Sequence, residues 1–150
     1  MIAVIQRVTE AEVTIESTLK ARIQNGLMIL LGIGHGDNEE DADWLCKKII
    51  HMRILGDKEN KMNLSLKNTD GELLVVSQFT LYANTKKGSR PSFTDAASPE
   101  IAVALYEKFI LFCQAELGKE IKTGKFGADM KVHLTNDGPV TIILDSKNRK

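Results

Sequence analysis

GLMILLGIGHGD, Gly26 to Asp37, is the stretch whose reading decides the fold. Leu27 to Leu31 are all apolar, and a run of strand length without polar alternation describes a strand covered on both faces. It closes in Gly32, Gly34 and Gly36, where a strand hands over to a helix and where dinucleotide and phosphate loops sit. The spacing excludes that use. It reads G-x-G-x-G rather than G-x-G-x-x-G, no Gly-Lys-Ser/Thr follows, and the next helix opens with carboxylates that repel a phosphate. The glycines are expected to supply a tight turn with positive φ.

Downstream, DNEEDADWLCKKIIHMRIL forms an amphipathic helix with Asp37 as its expected N-cap. Glu39, Glu40 and Asp41 occupy the first turn, and Ala42, Leu45, Cys46 and Ile49 recur at helical spacing. Upstream, Ile2–Val8 and Glu12–Glu16 read as two short strands in a hairpin-like opening around Thr9 and Glu10. GDKENKMNLSLKNTDG is polar and turn-rich and reads as a loop. A second helix, SPEIAVALYEKFILFCQAELG, has Ser98 as cap and Pro99 at its first position. Leu105, Phe109, Phe112 and Cys113 form its buried stripe, and Gly118 closes it. Glu120–Thr123, Asp129–Thr135 and Val140–Leu144 are further strands, with NDGP between the last two. The terminal SKNRK reads as a frayed solvated tail.

The bulk numbers agree with one compact domain over 1–150: 150 residues, 43% hydrophobic, eleven glycines and three prolines. A chain of this length hides roughly 68 to 70% of its unfolded surface and needs no disulfide or metal staple. Cys46 and Cys113 are therefore expected as buried free thiols in a reducing cytosol. MIAVIQRV is broken by Gln6 and Arg7 before a signal-peptide core is complete, and no apolar run is long enough to span a bilayer. Twenty basic and twenty acidic residues argue against a protein that coats nucleic acid by bulk charge. A nucleic-acid partner would have to be recognised through local contacts. His35, His51 and His133 fall in three elements with no ligand spacing, so neither a metal site nor a Ser-His-Asp machine is expected from them.

Two stretches carry unexplained polarity. ELLVVSQFTLYANT, Glu72 to Thr85, begins as a buried strand and then places Ser77, Gln78 and Thr80 among apolar neighbours. Each unpartnered buried polar group costs about 1 to 3 kcal/mol, so structure, water or ligand must satisfy all three. NDGPVT joins a hairpin signal to Pro139, which cannot donate a ladder hydrogen bond and restricts Gly138 before it. Its carbonyls are candidate fixed acceptors.

SQFTLYA at 77–83, KKGSRPSF at 86–93, TGKFGADM at 123–130 and NDGPVT at 136–141 together resemble the D-aminoacyl-tRNA deacylases, also called D-tyrosyl-tRNA deacylases. The likeness covers the whole chain, including the AVIQRV opening, the EEDADWL helix and the MNLSL loop. It implies a cytoplasmic homodimer that hydrolyses the ester joining a D-amino acid to the 3′ end of tRNA, without metal or nucleotide cofactor. Neither DNA nor a membrane is an expected partner. Carried over residue by residue, Ser77, Gln78, Phe79 and Thr80 line the catalytic pocket, with Thr80 as nucleophile or activator. Gly138–Pro139 is expected as a cis pair inserted into the partner's pocket to reject L-amino acids, supported by Arg7 and by Asn136 of the same motif. Phe126 and Met130 are expected to seat the terminal adenine, and Lys86, Lys87 and Arg90 to hold acceptor-stem phosphates. The rejection would act on the side chain's handedness rather than its identity, so D-amino acids in general, and glycine, are expected substrates. Backbone N–H groups near Gln78 and Phe79 would supply the oxyanion donors. Two alternatives stay open: a sister deacylase of L-alanyl-tRNA, whose Gly-Pro is trans, and a tRNA-end binding module without catalysis. The implied fold is α/β, a single domain of antiparallel-rich sheets packed around two main helices, layered β/α/β and barrel-like.

Overall fold

A computed structural model describes residues 1–150. Eight strands and two α-helices follow in the order β1 (Ile2–Ile15), β2 (Thr18–Ile23), β3 (Gly26–Gly32), α1 (Glu39–His51), β4 (Leu55–Gly56), β5 (Met62–Leu64), β6 (Glu72–Ser77), α2 (Pro99–Leu117), β7 (Lys122–Thr123) and β8 (Met130–Asp145). The main sheet runs β2-β1-β3-β6-β7, with β8 along the other side of β1, and β4-β5 is a separate hairpin. The three β1 pairings are antiparallel, whereas β3-β6 and β6-β7 are parallel. β2 also touches β6 and β7, so the sheet curls into a barrel-like α/β fold. No helix is long and apolar enough to cross a membrane.

The apolar run of β3 is covered on both faces, as its sequence requires. Leu27, Ile29 and Leu31 join the larger core under the helices with Leu73, Val75, Leu45, Ile49 and Phe109, while Met28 lies with Leu74 and Val76 in a second core inside the curl. The thiols of Cys46 and Cys113 are buried and unpaired between the helices. Pro99 opens α2 and Gly118 closes it at φ 75°. Phe112, expected in its buried stripe, packs only at the edge of the core.

Several expectations are corrected. The opening is one 14-residue strand, because β8 pairs with β1 from end to end and carries it past the exposed Thr9 and Glu10. The hairpin to β2 turns at Glu16 and Ser17, both at positive φ, and nothing in those two residue types announces it. NDGP is not a hairpin turn either. Between the pairs Gln6↔Thr141 and Val8↔Asn136, one β1 residue faces four residues of β8, so Asp137–Val140 bulges from a continuous strand. β8 is an edge strand, where Pro139 costs no ladder bond. The polar loop after α1 holds the β4-β5 hairpin and a 3-10 turn, Leu66–Asn68. The C-terminal tail is docked: Ser146 N–H donates to Met1 O at 2.9 Å, Lys147 pairs with Asp41 at 2.6 Å, and the Arg149 guanidinium stacks on Trp44 at 4.6 Å.

Candidate active site

β6 ends at Ser77, level with Leu31 of β3, and the chain then leaves the sheet. Gln78 donates its N–H to Leu31 O at 2.8 Å and Phe79–Tyr82 coil into a 3-10 turn. The glycines of β3 make room for that turn. A Cβ on Gly32 would lie 3.0 Å from both Gln78 O and Leu81 Cβ, and one on Gly34 only 2.6 Å from the Tyr82 ring. Neither glycine has the positive φ expected of it, nor does Gly36, so the requirement at Gly32 and Gly34 is close approach rather than backbone handedness. Asp37 is likewise not the cap of α1. Asn38 fills that role in a reciprocal capping box with Asp41, and Asp37 turns inward towards Tyr82.

A cavity of about 320 Å³ opens where β6 ends. Ser77, Gln78 and Phe79 form one wall and Phe126 and Met130 another, so five of the predicted site residues meet here. Ala102 of α2 and the segment Gly127–Asp129 add to the lining, and Leu31, Ile33, Val76 and Val132 complete it. Gly127–Asp129 lie within the quoted TGKFGADM and Ala102 lies in none of the motifs, and small side chains and a glycine carry no chemical signal of their own. Gly124 lets the Met130 thioether lie flat, since a Cβ there would sit 2.5 Å from Sδ. Phe126 packs edge-on against Tyr106, whose hydroxyl donates to Val75 O at 2.9 Å. Burial pushes that phenol well above the ordinary tyrosine range, so it stays a neutral donor.

Thr80 is half-buried next to the cavity wall, and its hydroxyl accepts from the Gln78 side-chain amide. No carboxylate, imidazole or amine touches that hydroxyl. Asp129, the one ionisable residue lining the cavity, is exposed and paired with Lys131 at 2.7 Å. Phe79 is 58% exposed and packs edge-on against Phe93 at 5.1 Å. Phe93 thereby ties the site to the loop carrying Lys86, Lys87 and Arg90, all exposed beyond the Asn84–Ser92 bridge.

The other predicted residues lie elsewhere. Arg7 donates through Nη1 to Ile54 O at 2.7 Å and through Nε to Asp137 O at 3.2 Å, and it pairs with the Asp137 carboxylate at 3.0 Å. Asn136 Nδ2 bridges Arg7 O and Val140 O at 2.9 and 3.0 Å. These bonds brace the bulge while Gly138 and Pro139 remain exposed. The Gly138–Pro139 peptide is trans, which corrects the cis expectation. Trans is favoured by about 0.5–1 kcal/mol at such bonds, and Gly138 takes up the turn at φ 118° instead. The bulge sits beside Arg7 and Val8, level with Leu27 and Gly26, while the cavity begins at Leu31. Along a strand this is roughly 15 Å, so one chain does not bring its two signatures together.

Residues 4–145 match the family model described as D-Tyr-tRNA(Tyr) deacylase. The chain belongs to this family. Among its relatives in the deacylase family are proteins named D-aminoacyl-tRNA deacylase from Christiangramia forsetii, 60% identical, and Flavobacterium psychrophilum, 59% identical, each aligned over the full length of both chains. A solved structure described as a c-Myc DNA unwinding element binding protein superposes with TM-score 0.89 at 40% identity, covering 97% of this chain and 98% of that one. A probable eukaryotic D-amino acid tRNA deacylase shares the fold, with TM-score 0.82 at 16% identity over 95% and 97% of the two chains.

Proposed function

We propose that this protein hydrolyses the ester between a D-amino acid and the 3′-terminal adenosine of tRNA. The observation that carries the reading is a largely apolar cavity with Phe126 and Met130 in one wall and Ser77–Phe79 in another, in a member of the deacylase family. An aminoacyl ester is already activated, so positioning it and stabilising the oxyanion supply much of the rate. The Gln78 N–H is spent on Leu31 and drops out of the expected donors, so the Phe79 N–H is assigned to the oxyanion. Such a donor contributes about 2.7 to 4 kcal/mol. Phe126 and Met130 seat the adenine. Water or the vicinal ribose hydroxyl takes the proton in preference to Thr80, whose hydroxyl has only an amide beside it.

The site is completed by a second copy of the chain. The outer edge of the 16-residue β8 is unpaired and Ile143 on it is 69% exposed, an edge that native sheets normally cover. The braced, exposed bulge at Gly138–Pro139 then enters the partner's cavity, where its rigid backbone leaves no room for an L side chain. Glycyl esters, with no side chain to reject, are substrates too, and Lys86, Lys87 and Arg90 approach the acceptor-stem phosphates. The enzyme works in the cytoplasm.

The trans Gly138–Pro139 bond favours a second reading, removal of L-alanine from mischarged tRNA. Incubation of purified protein with D-tyrosyl-, L-tyrosyl- and L-alanyl-tRNA separates the two. Loss of the D ester alone supports the first reading, loss of the L-alanyl ester supports the second, and retention of all three with bound tRNA leaves a binding module.

A further inference from the structure

Phe79 lines the cavity and yet leaves most of its surface in solvent, so it stands at the mouth. It opens the 3-10 turn, anchored from behind by the Gln78 N–H bond to Leu31 O. The Phe93 ring that meets it edge-on, at an interplanar angle of 74°, is itself held on both sides. Before it, Asn84 and Ser92 exchange backbone hydrogen bonds of 2.8 and 3.0 Å and pinch off the loop 85–91. After it, His35 Nε2 contacts Thr94 O at 2.9 Å and Ala97 N–H donates to Ile33 O at 2.9 Å, which bonds the segment to the chain that continues β3. The pinched loop carries Lys86, Lys87 and Arg90, none of them in an ion pair. From the cavity outward, the ring pair comes first and the cationic loop beyond it.

We propose that the exposed ring of Phe79, braced by Phe93, is a stacking platform for the nucleobase that precedes the terminal adenosine of the substrate. Single-stranded nucleic acid is held by aromatic faces for its bases and cations for its phosphates, and this rim offers both in sequence. With the adenine on Phe126 and Met130 and the ester at the Phe79 N–H, the terminal nucleotide's 5′ phosphate leads out past the Phe79 ring. The preceding base then lies on that ring, and the phosphates further along the strand reach the three cations. Phe79 thus serves twice, through its backbone at the ester and through its side chain on the strand that delivers it. Because the edge-on contact fixes the ring before the substrate arrives, little ordering remains to be done on binding. A π-face reads no base edge, so the platform accepts any base at this position.

This assignment rests on the proposed hydrolysis, and two small substrates isolate it. One is the D-tyrosyl ester of cytidylyl-adenosine, and the other is the same dinucleotide with its cytosine replaced by hydrogen, which keeps the phosphate and both sugars. The wild-type full chain is expected to cleave the first with kcat/KM about tenfold higher, the size of one base stacked on one aromatic ring. Phe79→Leu keeps the backbone N–H and an apolar side chain but has no π-face, and the preference should fall to within about twofold. Phe79→Tyr should retain it, and so should a substrate with uracil in place of cytosine. A wild type that does not distinguish the two esters overturns the proposal, as does Phe79→Leu with its preference intact. Loss of the preference with uracil would mean that a base edge is read, which also overturns stacking. Sedimentation of the same variants supplies a further check: a change of oligomeric state in Phe79→Leu would make the ring a contact between copies instead. Should Phe79→Leu not fold, Phe93→Ala, which removes the brace, is expected to reduce the preference at least threefold and decides in its place. Should the wild type cleave neither ester nor D-tyrosyl-tRNA, the proposed hydrolysis fails. The Kd ratio of the two uncharged dinucleotides, with the same tenfold expectation, still decides the platform.

Discussion

Thr80 illustrates how much a side chain's neighbours matter at the residue scale. A hydroxyl becomes a good nucleophile when a base takes its proton, and this one meets only the Gln78 amide. Thr80→Ala is therefore expected to lower single-turnover cleavage of D-tyrosyl-tRNA less than about tenfold with the fold intact, whereas near-complete loss would make the hydroxyl the nucleophile. Asp41 carries a prediction in pH. Its burial alone would raise its pKa, but hydrogen bonds from Lys147, Ser146 and the Asn38 N–H outweigh that and hold it below the ordinary 3.8. A depressed carboxylate stabilises the fold above its unfolded pKa, and the contribution is lost as pH falls through the folded value. Asp41→Asn should lower the melting temperature at pH 7 by about 2 to 4 °C, with the gap closing below pH 3.8. A gap unchanged in acid would contradict the pairing. The polarity of Ser77, Gln78 and Thr80 was legible in the sequence because it interrupts an apolar run. The inward turn of Asp37 was not, since an aspartate before a helix has the look of a cap and its partner Tyr82 lies 45 residues away.

Elements place these residues, and β3 does so by what it lacks. Its closing glycines are a seat for the 3-10 turn, and a methyl group on Gly34 would overlap the Tyr82 ring. Gly34→Ala is expected to lower kcat by about tenfold or more while thermal unfolding shows the core intact. Wild-type turnover in this variant would mean that the turn does not depend on its seat. The continuous apolar run and both helices could be read from periodicity, because burial and capping act within a few residues. The length of β1 and the union of β8 across NDGP could not. Both arise from pairing between distant strands, which overrides the turn chemistry of Asn-Asp-Gly and lets an edge strand absorb Pro139 as a bulge.

For the whole molecule, the decisive fact is that the cavity and the braced bulge lie at different ends of the sheet. Sequence places both motifs in one chain but is silent about distance, which only the topology supplies. A proposed dimer joins them and covers the β8 edge. Ile143→Lys, on that edge, is expected to yield a monomer by analytical ultracentrifugation that does not cleave D-tyrosyl-tRNA. An active monomer would place the whole site in one chain. The sharpest measurement mixes two disabled proteins, Met130→Arg, which fills the cavity, and Asp137→Ala/Pro139→Ala, which unbraces the bulge. Each alone should be inactive, and subunit exchange between them should restore about a quarter of wild-type cleavage of D-tyrosyl-tRNA, since half the dimers then hold one intact site of two. No recovery in a mixture shown to contain heterodimers would contradict a site shared between subunits.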